Sequence, residues 1–248
     1  MHWDYILVVF FFAVAVPWLG RHRVLRLLQD SDFSSLDRLQ LYASTVAFQW
    51  LAAAIIYWRI RAHHTPLAAL GASLPRPALS LTVGAVFSIA LLVNQIVALR
   101  QMSRHPRRSS SPLNRVAAKI FPRSSAERFA FFAVVLTVAV CEEWIYRGFI
   151  QRAFQDVTAG SVVAGILVSS LLFGLAHLYQ GRRGVITTGL LGLVFSLVRA
   201  WTGSLLPGMV AHFVADLTVG MLAPGHLDSA TRAAASGDAE EAVTAGPR

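Results

Sequence analysis

Long apolar runs alternate with short polar connectors along most of this chain. A helix needs about 20 mostly apolar residues to cross the roughly 30 Å hydrocarbon core of a bilayer. Seven segments approach that pattern: about Trp3–Leu19, Leu41–Trp58, Leu79–Leu99, a run from Phe129 through Cys141, Ser161–Leu178, Val185–Ala200 and Leu205–Leu222. The stretch Pro112–Ser125 is a candidate for an eighth, partly embedded helix, because it holds too many bases to span. The expected fold is therefore all-α, a polytopic transmembrane helix bundle of about 7–8 spans with a polar cavity inside the membrane. Three regions follow: 1–124 with the first spans and a basic loop, 125–222 with the later spans, and 223–248 as a tail. That tail is rich in Ala, Gly, Ser and acids and is expected to be disordered. No internal repeat or GxxxG spacing appears; the small pair Gly165 and Ser169 fits ordinary close packing of helices.

Composition strengthens the membrane reading. Only 14% of the 248 residues are charged, against about 25% in an average soluble domain. The net charge of +9 would suggest nucleic acid for a soluble protein. Here the bases sit between apolar runs, so they set orientation and no nucleic-acid partner is expected. Arg100 to Arg128 carries eight bases and one acid, Glu127. The positive-inside rule puts this loop in the cytoplasm, together with Arg21, Arg23, Arg26, Arg182 and Arg183. The amino terminus is then outside and the carboxyl tail cytoplasmic. Of 22 basic residues only Lys119 is lysine, a skew that suggests a GC-rich genome and a bacterial plasma membrane. The first 20 residues lack a basic leader and a small-residue cleavage site, so they read as a retained span. The lone Cys141 excludes a disulfide framework and a cysteine zinc site.

Three spans carry groups that are costly in lipid, at about 2.5–3.5 kcal/mol for a charge at the helix centre. The first cluster is Cys141-Glu142-Glu143-Trp144-Ile145-Tyr146-Arg147. Glu143 and Arg147 are spaced i,i+4 and can pair on one helix face. Glu142 lies about 100° round the helix without a local partner, as a general base or acid would. The second is Phe173 and His177, one turn apart. The third is His212 and Asp216, also one turn apart, where the carboxylate can orient the imidazole or both can meet a metal or carbonyl. Each pair alone also fits an ion pair, an interfacial histidine or a polar clasp between helices. Asn94, Gln95 and Arg199 lack such clustering, and His2, His22, His63, His64, His105 and His226 fall in or beside loops, where solvent satisfies them. On these boundaries Glu142 lies near the outer end of the fourth span and His177 near the inner end of the fifth. A shared site requires those ends to shift, or residues 148–160 to enter the membrane.

Glu-Glu-x-x-Tyr-Arg at 142–147, Phe-x-x-x-His at 173–177 and His-x-x-x-Asp at 212–216 resemble, in order and spacing, the three motifs of the CPBP family. That family comprises type II CAAX prenyl endopeptidases and bacteriocin-processing or abortive-infection proteins. The resemblance covers roughly 125–222. It implies a membrane-embedded endopeptidase whose conical cavity opens to the cytoplasm. Its substrates would be membrane-associated peptides or proteins, CAAX-type or bacteriocin-like, with lipid as the surrounding partner. Carried over, Glu142 activates water that His177 shares, Glu143 and Arg147 brace the site, His212 and Asp216 face the scissile carbonyl, and Phe173 and Tyr146 contact substrate. Two mechanisms stay open. His177 and His212, with or without Glu142, bind Zn²⁺; or the site is metal-independent and residues 212 and 216 form an oxyanion hole. The family's third motif often ends in Asn, and an ionised Asp216 cannot donate to an oxyanion. The zincin pattern H-E-x-x-H is absent. Two other classes compete: a non-enzymatic bacteriocin-immunity or regulatory protein, and a proton-coupled transporter.

Overall fold

The computed structural model describes the backbone of residues 2–30, 32–104 and 112–244, and the side chains of 2–30, 32–101 and 116–225. All regular structure among these residues is helical. Helix α1 runs Trp3–Gln29 and α2 Ser35–Ala62. They are followed by α3 (Pro77–Arg104), the short α4 (Pro112–Ile120), and α5 (Ser125–Val157). Then come α6 (Val162–Ala176), α7 (Gly181–Thr202) and α8 (Leu206–Thr244). Six of these are long and apolar enough to cross a bilayer, and α6 is a shorter apolar helix of 15 residues. Six of the seven expected segments are thus helices of spanning length, and the fifth is the shorter apolar helix α6. The basic candidate segment at 112–125 forms α4, too short to span. His105 lies outside the described residues, as do the side chains of Arg104, Arg115 and His226.

Local signals place the helix starts. Ser34 with Asp37 and Ser124 with Glu127 form reciprocal capping boxes, which satisfy orphan N–H groups at the heads of α2 and α5. Ser161 Oγ accepts from Ala164 N–H at the head of α6. Gly203, in the left-handed region, ends α7. The tail differs from expectation: the helix begun at Leu206 continues through Thr244. Alanine, the strongest helix former, is the commonest residue in that stretch.

Large apolar side chains such as Leu81, Ile89, Phe129, Leu171 and Leu190 point outward, where lipid removes the need for polar cover. Trp3, Trp58 and Trp201 are exposed near helix ends, where aromatic side chains suit a membrane–water interface. The interior is one bundle. α8 packs along α3 and α5, α2 along α5, and α6 along α7. The principal core joins Tyr5 and Phe12 of α1 and Ile56 and Ile60 of α2 to Tyr146, Phe149 and Phe173. The first two spans therefore form a wall of the region that carries the motifs.

Each end of the bundle is tied. At the basic end Arg38 Nε lies 3.1 Å from Glu127 Oε2, and Lys119 donates to the carbonyls of Leu27 and Asp30. At the opposite end Asp4 Oδ2 takes Arg59 Nε at 2.6 Å and His63 Nε2 at 2.9 Å. His63, expected to be solvated, is thus held in an ion-pair cluster with His2 stacked on it. Asp4 sits in the first turn of α1 and meets Arg59 only through tertiary packing.

Candidate active site

α5 is an unbroken helix of 33 residues, about 50 Å long. This corrects the expectation that Glu142 lies near the end of the fourth span, because the helix runs 15 residues further, to Val157. Residues Glu143–Ile150 wind as a π-helix and the α-helix resumes to Val157. The turn that follows is tight, with Ala159 and Gly160 both at positive φ, and α6 descends antiparallel to α5. The turn lies midway between Glu142 and His177 in sequence, so the two arms of the hairpin bring both to the same level. The depth mismatch between the two residues disappears for this reason.

Contacts along the hairpin fix its register. A Cβ at Gly165 would lie 2.5 Å from the Gln151 carbonyl oxygen, so the backbones touch there. Ser169 Oγ donates to the Tyr146 carbonyl at 2.7 Å, a carbonyl inside the π segment. The expectation that Gly165 and Ser169 serve close packing holds within the chain. One turn further, Phe173 lies beneath Arg147, its ring 4.0 Å from the guanidinium carbon. Another turn brings His177, the C-cap of α6. Its Nδ1 lies 2.8 Å from the Phe173 carbonyl. A carbonyl only accepts, so Nδ1 carries the hydrogen and Nε2 is left as the acceptor.

Glu143 and Arg147 pair as expected, Nη1 to Oε1 at 3.2 Å, with side chains 1% and 0% exposed. Arg147 is clasped between aromatic rings, Phe173 below and Phe195 of α7 at 5.1 Å. Gly192 leaves room for it: a Cβ there would stand 3.2 Å from Nη2 and 3.0 Å from the Phe173 ring. From α8, His212 donates Nδ1–H to Glu143 Oε1 at 3.2 Å. Its Nε2 lies 3.4 Å from Asp216 Oδ2 and 4.0 Å from Glu142 Oε2. Gly208 approaches the same carboxylate, with a hypothetical Cβ 2.9 Å from Glu143 Oε2. The rings of His177 and His212 both face Phe173, at 4.8 and 6.3 Å between centroids. Glu142 is within electrostatic reach of His177, His212 and Asp216.

The structure therefore gathers Glu142, Glu143 and Arg147 of α5, His177 at the end of α6, and His212 and Asp216 of α8. Phe173 and Tyr146 are 2% and 3% exposed and form the packed floor. Glu142 and His177 are partly buried, and Asp216 is more open than Glu142, its side chain 44% exposed against 15%, so it marks the mouth. Two contributors escaped the sequence reading. Phe195 is an ordinary aromatic in an apolar helix and gives no local signal. Gln49 of α2 donates Nε2–H to Glu142 Oε1 at 3.1 Å; a polar residue mid-way along an apolar span was its only mark. Asn94, Gln95 and Arg199 stay apart from the site, as expected. Arg199 donates to the Ala69 carbonyl at 2.7 Å and ties α7 to the loop after α2.

His177 and His212 each commit Nδ1 to a protein acceptor, leaving Nε2 to face the site. Among the described residues, however, no three His, Cys, Asp or Glu side chains converge as a metal ion requires.

Residues 124–218 match the protein-family model described as Rce1-like, type II CAAX prenyl endopeptidase Rce1-like. The match begins at the cap of α5, ends just past Asp216 and takes in all three motifs. No curated protein and no solved structure matches the chain.

Proposed function

On the premise that the segment 124–218 is a Rce1-like domain of the CPBP family, we propose that this chain is an intramembrane endopeptidase of CAAX type. In this reading Glu142 and His177 activate water against a peptide bond of a membrane-associated substrate. The observation that carries the proposal is the meeting of three separate helices: His212 lies 3.2 Å from Glu143 and 4.0 Å from Glu142, across the Phe173 ring from His177.

In the proposed step, water sits between Glu142 Oε2 and His177 Nε2. Glu142 takes its proton as the oxygen attacks the carbonyl carbon. Carboxylates only accept hydrogen bonds, so His212, with carboxylates at both nitrogens, is oriented to present N–H to the carbonyl oxygen as charge develops there. Glu143 holds the other ring nitrogen and Arg147 balances the Glu143 charge. The C–N bond then breaks, the proton on Glu142 passes to the leaving amine, and the new carboxylic acid gives its remaining proton to that amine, so a carboxylate and an ammonium group depart. Asp216 acts here by orienting His212, which removes the difficulty that an ionised Asp cannot donate. Phe173 and Tyr146 act as the floor beneath the substrate. Among the described residues the donor set does not converge on a metal position, and the proposed step proceeds without zinc.

Substrate is proposed to enter at the exposed Asp216 mouth. By the positive-inside rule that end, with Arg182 and Arg183, faces the cytoplasm. The test is cleavage of a lipid-anchored peptide by the purified chain in detergent or vesicles. Glu142→Gln and His177→Ala should each reduce turnover by about 10²–10⁴-fold while helical content is kept. Cleavage that persists in both variants refutes the reading.

A further inference from the structure

Gln49, one of the residues that touch Glu142, lies outside the family-matched segment. It sits mid-way along α2 and donates Nε2–H to Glu142 Oε1. Neighbouring contacts hold α2 in register. Next to it, Trp50 Nε1–H donates to Thr137 Oγ1 of α5 at 3.1 Å. Towards the basic end, Arg38 pairs with Glu127, and Tyr42 donates its hydroxyl to the Ile120 carbonyl. α2 therefore cannot slide along α5 without breaking the buried Arg38–Glu127 pair and the Trp50–Thr137 bond, and the amide is delivered to a fixed height. A carboxylate offers no donor, so it is the amide nitrogen that must face Glu142.

The two oxygens of Glu142 are made unequal by this bond. Oε1 is occupied by Gln49. Oε2 is buried with no hydrogen-bond partner among the described residues, and it is the oxygen on the His212 side.

We propose that Gln49 is a positioning residue that fixes the Glu142 carboxylate through Oε1 and leaves Oε2 as the single oxygen open to the attacking water. This rests on the protease reading above. An amide suits the task. A Lys or Arg at 49 would pair with Glu142 and oppose its protonation, and a second acid would compete for the proton. A neutral donor orients the base and leaves it free to cycle. The residue comes from the part of the chain that the family match does not reach, so the first spans complete the site as well as enclosing it.

The test is Gln49→Met, which keeps the volume and removes the donor, with Gln49→Ala as a second variant should the first fail to fold. In the full chain, reconstituted and given a lipid-anchored peptide, kcat should fall about tenfold, the scale of one hydrogen bond to a charged group. KM should stay within about twofold, since the substrate itself loses no contact. The acid limb of the pH–rate profile should move to higher pH, because the ionised carboxylate has lost a donor. A second readout needs no activity: the pH dependence of Glu142 labelling by an apolar carbodiimide, which reacts with protonated carboxyls, read by mass spectrometry. Its midpoint should move up in the variant. An unmoved midpoint overturns the proposal whether or not kcat falls, since a purely structural role would lower activity without it. A moved midpoint in a protein that never cleaves upholds the role of Gln49 and refutes the protease reading instead.

Discussion

Arg147 is the residue on which the site's charge balance turns. It is fully buried, pairs with Glu143 and lies between the rings of Phe173 and Phe195. A desolvated cation over an aromatic face contributes about 2 kcal/mol, and the flat guanidinium fits between two rings as an ammonium does not. Arg147→Lys should therefore lower the thermal midpoint in detergent although charge is conserved. Arg147→Ala should cost about 3–5 kcal/mol, because Glu143 stays buried without its cation. Adding Glu143→Gln to Arg147→Met should recover part of that stability and none of the cleavage. A double-mutant cycle on thermal unfolding measures the coupling; strict additivity would show that the pair does not act as one.

At the scale of helices, the α5–α6 hairpin does the positioning. α6 has 15 residues, about 23 Å, less than the thickness of the hydrocarbon core. Its carboxyl end, with His177, therefore stops within the membrane instead of reaching the interface. The π segment lies where α6 packs against α5, and Ser169 caps one of its carbonyls; such segments recur at functional sites. The touching backbones at Gly165 set the level of everything below. Gly165→Ala would force a Cβ to 2.5 Å from the Gln151 oxygen and 2.8 Å from Gln155 Cγ. The expected cost is about 1–3 kcal/mol of overpacking, together with lost cleavage as α6 and His177 shift. Gly160→Ala is the contrast. Its φ is +86° and nothing lies within 4 Å of a Cβ there, so it should lose stability by only about 1–2 kcal/mol of backbone strain and keep its activity. Equal losses of activity in the two variants would contradict this account.

Over the whole molecule, crosslinks at both ends make the spans one body. Asp4, Arg59 and His63 clamp α1 to α2 at one end, and Arg38 with Glu127 clamps α2 to α5 at the other. The proposed orientation can be tested on this frame, because the only cysteine, Cys141, is fully buried and should be silent to a water-soluble maleimide. Arg183→Cys should label only from the cytoplasmic side of oriented membranes, and His64→Cys only from the opposite side; the reverse pattern would invert the topology. Dialysis against a strong zinc chelator should leave cleavage intact, as the unconverged donor set implies. Activity lost on chelation and restored by Zn²⁺ would require His177 and His212 to move together around an ion.

The sequence by itself determined the architecture and which ionisable groups stand inside the membrane-spanning helices. The cost of exposing apolar runs to water dictates helices in lipid, and the cost of charge in lipid makes Glu142, Glu143, Arg147, His177, His212 and Asp216 conspicuous wherever they fall. Both are properties of single segments and can be read locally. What only the tertiary structure decided was depth, register and partners. The level of His177 depends on how far α5 runs beyond Gly148, which hydrophobicity alone does not mark. Phe195 and Gln49 gain their roles from helices distant in the chain, and Asp4 and Arg59 become an ion pair only when α1 meets α2. A side chain's chemistry is fixed by its type, but the oxygen or ring it meets is set by packing, and packing is a property of the whole bundle.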